Sequence, residues 1–156
     1  MVPFLGNLSL LLSLFFSISQ FFVSKMNKKS NFMNISVIGL LIFSLISFFL
    51  LMYSYVVSDF TLLNVFQNSH TTKPLIYKIS GVWGNHEGSM LLWIIVLTIF
   101  NYFIFKLYNK KNFIFISKIL ETQAFITTGF ILFTVLTSNP FEKVESTQID
   151  GLGFNP

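Results

Sequence analysis

Apolar positions along the chain gather into four long runs, separated by short breaks rich in Lys, Asn, Gly and Pro. The runs cover roughly residues 3–24, 34–57, 87–107 and 112–138. Each is long enough for the about 20 residues that a helix needs to cross a bilayer. The pattern predicts an all-α, polytopic membrane protein with about four transmembrane helices in residues 1–138. The tail at 139–156 then lies on the outer side and leads to a downstream segment that is missing here. Asn139-Pro140 stops the fourth run and Asp150-Gly151 forms a turn.

Finer periodicity divides the helices into faces. In the first run Gly6, Ser9, Ser13, Ser17, Gln20 and Ser24 recur every three or four residues, a small and polar stripe suited to docking another helix. No Lys or Arg precedes this run, so it lacks the basic start of a secretory signal and is expected to stay in the mature protein. At the start of the third run, Trp83, His86, Met90 and Trp93 fall on one helical stripe. Gly81, Gly84 and Gly88 fall on the next, where Gly84 and Gly88 make a GxxxG pair for close helix packing. The break at 58–80 is too apolar for a free linker. Phe60, Leu62, Leu63, Val65 and Phe66 predict a short interfacial helix, N-capped by Ser58 or Asp59 and broken at Lys73-Pro74.

Charge sets the orientation. Lys25, Lys28 and Lys29 follow the first run, and Lys106, Lys110, Lys111 and Lys118 lie near the facing ends of the third and fourth. The opposite side holds only Lys73, Lys78 and Lys143, with Asp59, Glu87, Glu142, Glu145 and Asp150. The positive-inside rule puts both termini and the 58–86 loop outside, in a periplasm or a mitochondrial intermembrane space. Glu121, the acid of the inner side, is spaced to pair with Lys118.

Composition agrees and narrows the chemistry. Of 156 residues, 53% are hydrophobic and 10% charged, a balance of integral membrane proteins. With no Cys there is no disulfide, thiolate metal site or thiol redox chemistry in the chain itself. All ten basic residues are Lys, Phe reaches 21, and Ala124 is the sole alanine. This bias reads as an AT-rich coding history, for which an organelle is the expected home. The lysines sit in short loops beside apolar runs, so the net charge of +4 is no nucleic-acid signal.

His86 and Glu87 are the adjacent ionisable pair near a membrane interface. They read either as a haem-ligand or proton-handling site, or as hydrogen-bonding groups facing the loop or a partner. His70, in the polar run Asn68-Ser-His-Thr-Thr72, supplies no second axial ligand. Trp83 and Trp93 read as interface anchors or core. No phosphate loop, metal-spaced cluster or nucleophilic triad is present. No residue is assigned as catalytic, cofactor-binding or metal-ligating. Trp83, Gly84, His86, Glu87, Gly88 and Trp93 form a candidate motif and partner surface.

Three stretches carry a likeness: Val57-Ser-Asp-Phe-Thr61; Tyr77-Lys-Ile-Ser-Gly-Val-Trp-Gly-Asn-His-Glu-Gly-Ser-Met-Leu-Leu-Trp93; and Thr137-Ser-Asn-Pro-Phe141. In this order they resemble the amino-terminal portion of the cytochrome c maturation protein F (CcmF) family. The resemblance implies the membrane part of a haem lyase, which joins haem to apocytochrome c on the outer face. It covers essentially the whole chain but only the start of the family. The family's Trp-rich haem-binding domain and axial histidines lie downstream, so no ligand role passes to His86 or His70. The implied reading is an amino-terminal subunit of a split and mitochondrially encoded lyase, not catalytic alone. Haem b is then the substrate of the complex, with no cofactor held by this chain alone. The implied location is the mitochondrial inner membrane, or alternatively a bacterial inner membrane. The implied partners are a separately encoded downstream haem-lyase fragment, a thiol-reducing maturation factor, a haem chaperone, apocytochrome c and membrane lipid. The alternative is a small hydrophobic structural subunit of a respiratory or transport complex.

Overall fold

A computed structural model describes residues 1–26, 30–108, 113–144 and 149–154. Lys28, Lys29, Lys110, Lys111 and Glu145, part of the charge argument, lie outside the described residues. Four long helices dominate: α1 Val2–Lys25, α2 Asn31–Val56, α5 His86–Tyr108 and α6 Phe113–Thr137. All four are long and apolar enough to cross a membrane. Two short helices, α3 Leu63–Asn68 and α4 Leu75–Gly81, lie between α2 and α5. The chain is a polytopic, all-helical membrane protein.

The long helices form a ring in which α1 packs on α2 and α6, and α5 packs on the same two. Both termini of the bundle and the 58–85 segment gather at one end. There Asn139 Nδ2 donates to Asn7 Oδ1 at 2.9 Å, and the Phe141 ring fills a notch over Gly6.

The stripe on α1 faces inward. Gly6, Ser9, Ser13, Ser17, Gln20 and Ser24 are all buried. Gly6 meets Phe141, Ser17 and Ser24 meet α6, and Gln20 meets α5 and α6, all in the same chain, so the expected docking face is consumed internally. Ser9 and Ser13 satisfy their hydroxyls on carbonyls one turn back. Ser17 reaches across, to the Ala124 carbonyl at 3.1 Å and to Thr128 Oγ1 at 2.8 Å. Deeper in the bundle, Gln20 and Asn101 exchange side-chain amide hydrogen bonds of 2.9 and 2.8 Å. Ser44 and Thr98 approach to 3.1 Å, joining α2 to α5. In a setting without water these bonds give polar groups their partners and fix which helices meet. The expected Lys118–Glu121 pair is present at 2.9 Å.

Two expectations for the loop are overturned. Ser58 caps no helix start but ends α2 with φ of 56°, the left-handed position usually taken by Gly, while the Asp59 amide donates to the Ser54 carbonyl. Asp59 instead accepts from the Thr61 hydroxyl at 2.6 Å and from its backbone N–H. The short helix starts after Leu62, and Phe60, Leu62 and Val65 are buried in the main core. The apolar side chains that stay exposed in this loop belong to α4: Leu75, Ile76 and Tyr77.

Candidate functional site

The 81–93 segment is two pieces, not one helix. α4 ends at Gly81, residues 82–85 turn, and α5 begins at His86. Asn85 causes the break. Its Oδ1 accepts the Gly88 amide at 2.8 Å, the bond of a helix N-cap. Its Nδ2 donates to the carbonyls of Gly81 at 2.9 Å and Val82 at 3.3 Å. Trp83 therefore leaves the stripe expected with His86, Met90 and Trp93, and Gly81 and Gly84 leave the stripe expected with Gly88. The bare face of Gly88 is filled by the Val82 carbonyl of this same turn, where any Cβ would collide with backbone. Gly81 borders the Tyr55 ring instead. The expected GxxxG surface for another helix is not formed by these residues.

Asn85 also anchors a polar cluster under the turn. Tyr55, from the end of α2, donates its hydroxyl to Asn64 Oδ1 at 2.6 Å and accepts from Asn85 Nδ2 at 2.8 Å. Asn64, from α3, donates Nδ2 to Asn85 Oδ1 at 2.8 Å and to Glu87 Oε2 at 2.9 Å. Four elements are thus locked by Tyr55, Asn64, Asn85 and Glu87. The Glu87 carboxylate sits in the first turn of α5, where the helix N-terminus favours negative charge. The cluster orients groups and closes the end of the bundle.

His86 points elsewhere. Its Nδ1 lies 3.1 Å from Ser138 Oγ, and its ring meets Phe133 edge-on at 6.1 Å. It lines the outer end of an apolar groove of about 650 Å³ between α5 and α6, shared with Met90, Phe125, Gly129 and Phe133. Glu87, its neighbour in sequence, turns into the polar cluster. Trp83 and Trp93 are both exposed, neither in the groove nor in the cluster. Among the described residues, no three His, Asp or Glu side chains converge as metal ligands would.

The tail after α6 closes over the loop. Leu62 and Lys143 form an antiparallel bridge, and the amides of Leu152, Gly153 and Phe154 donate to the carbonyls of Phe66, Ser69 and Gln67 at 2.7, 3.1 and 2.8 Å. Asp150 receives the Thr71 hydroxyl at 2.7 Å and the Thr71 amide at 3.0 Å. These bonds, with smaller help from Gly151 and from His70 at 3.2 Å, hold its carboxyl below the usual carboxylate range.

Tyr55, Asn64, Asn85 and Ser138 were absent from the expected surface. Asn85 carried a signal, an Asn directly ahead of a long apolar run. The others meet the motif through contacts 21 to 52 residues apart, for which a single sequence has no local mark.

The chain has relatives among known proteins. It is 46% identical over 110 residues to the cytochrome c-type biogenesis protein CycK of Rhizobium meliloti (strain 1021), covering 70% of this chain and 16% of that protein. It is 32% identical over 163 residues to the cytochrome c-type biogenesis protein CcmF of Pseudomonas aeruginosa, covering 100% of this chain and 25% of the relative. A solved structure, a cytochrome c heme lyase CcmF, matches with a TM-score of 0.80 and 25% identity, over 94% of this chain and 26% of that chain. The chain belongs to the CcmF family of cytochrome c-type biogenesis proteins. It spans a quarter or less of the length of those two relatives. No protein-family model matches it. Relative to that CcmF structure, the bundle and its closed end are one portion of a larger membrane protein.

Proposed function

We propose that this chain is the amino-terminal membrane subunit of a cytochrome c haem lyase, scaffolding covalent haem attachment to apocytochrome c on the outer face of the membrane. The observation that carries the reading is the fold match to a cytochrome c heme lyase across 94% of the chain. The interior fits a scaffold: Ser17 is spent on Thr128, Gln20 on Asn101, Ser44 on Thr98 and Glu87 on Asn64. The chemistry then resides in the rest of the family sequence, supplied by a separately encoded downstream fragment. A haem chaperone, a thiol-reducing maturation factor and apocytochrome c complete the set, with haem b as substrate. The Lys- and Phe-rich composition supports a mitochondrial inner membrane, termini towards the intermembrane space.

Depleting the chain tests the reading. Covalent haem staining of all c-type cytochromes is expected to fall together, while b-type haem proteins keep their spectra. Normal cytochrome c haem with a single respiratory complex missing would favour the structural-subunit alternative.

A further inference from the structure

Every described packing notch on α1, α2 and α5 is filled from within the chain. Phe141 covers Gly6, Phe16 covers Gly39, and the Val82 carbonyl covers Gly88. Gly129 on α6 is different: a Cβ added there meets nothing within 4 Å. A mid-helix glycine lowers helix stability relative to Ala, so bare backbone here carries a cost with no return inside this chain. It opens into the α5–α6 groove, whose outer end is His86, held at one ring nitrogen by Ser138. Among the described residues no hydrogen bond occupies the other ring nitrogen. The portion matched here is 16% and 25% of the length of two family relatives and 26% of a solved family chain.

We propose that the α5–α6 groove seats a membrane-spanning helix of the polypeptide that supplies the remainder of the family sequence. The helix is apolar, approaches closest at Gly129, and carries a hydrogen-bonding side chain level with His86. Acyl chains fill any apolar groove but have no use for an imidazole at its end. A helix uses both, gaining van der Waals contact at the glycine and a polar bond at the histidine. The inference rests on the split-lyase reading above and names the surface that joins the pieces.

The test is photo-crosslinking from the native membrane complex. Benzoylphenylalanine replaces Leu132 in the groove or, as a control, Phe49 on the exposed face of α2. Position 132 is expected to trap a polypeptide of family sequence and position 49 only lipid. Gly129→Leu is expected to lower recovery of that polypeptide with the tagged chain by about tenfold, because the added side chain overpacks the contact. Its own thermal stability is expected to stay unchanged, and Phe49→Leu to leave recovery intact. If position 132 traps only lipid or a second copy while the family polypeptide still co-purifies, the groove is overturned and the split-lyase reading survives. If no family polypeptide co-purifies with the unsubstituted chain, both fall.

Discussion

Gln20 on α1 and Asn101 on α5 are joined across the bundle by two reciprocal amide hydrogen bonds, at 2.9 and 2.8 Å, with both side chains buried. Gln20 also donates to the Leu120 carbonyl at 3.2 Å, so one residue ties three helices together. Gln20→Leu or Asn101→Leu alone leaves the other amide orphaned and is expected to cost about 1–3 kcal/mol. The double substitution is expected to cost less than the sum. Thermal unfolding in detergent of the two singles and the double measures the coupling, and additive losses would contradict the pair.

Gly88→Ala is expected to destabilise the chain, because the added methyl collides with the Val82 backbone and the turn has no flexible side chain to move. Overpacking of this kind costs about 1–3 kcal/mol. Gly129→Ala, in open space, is expected to stabilise the chain by up to about 1 kcal/mol, because Ala is the better helix former. Parallel melting curves of the two alanine variants make the comparison.

The ribbon between the tail and the loop is expected to weaken in acid. The Thr71 hydrogen bonds hold the Asp150 carboxyl below its ordinary value, so its contribution is complete above about pH 4 and is lost as pH falls through the lowered value. Amide protection at Leu152 and Phe154, corrected for intrinsic exchange, is therefore expected to be level from pH 7 to about pH 5 and to decline below about pH 4. Asp150→Asn should flatten that profile.

The chain begins without cysteine, so single substitutions report topology cleanly. A membrane-impermeant maleimide applied from the outer side is expected to label Thr71→Cys and Ser146→Cys and to spare Lys28→Cys and Lys110→Cys. Labelling at 28 with protection at 71 would invert the orientation.

Purified without partners, the chain is expected to show no stoichiometric ligated-haem spectrum, since a single exposed histidine holds haem weakly. A haem band that disappears in His86→Ala would overturn this and make His86 an axial ligand.

The four spanning helices are legible in the sequence because sustained apolar length is a local property. Which helix meets which is not. Every face of these helices is apolar, so the contrast that marks a buried side in a soluble helix nearly vanishes. The serine stripe on α1 was visible for that reason, as a polar exception, yet its spacing says only that something packs there. The structure assigns that role to Ala124 and Thr128 of the same chain. The motif around His86 differs in another way. Its helical spacing does not run back to Gly81, because Asn85 ends the register, and the side chains that Asn85 and Glu87 bind, Tyr55 and Asn64, come from α2 and from elsewhere in the loop.

The ribbon that lays the tail over the 58–72 segment has a consequence for biosynthesis. Phe60, Leu62 and Val65 precede the fourth helix in the chain, but the segments that bond to their loop, at 141–144 and 150–154, follow it. Synthesis runs from the amino-terminal side, so this loop has no tail to pair with until α6 has been made. Closure of the ribbon therefore reports that the chain has been carried through all four long helices.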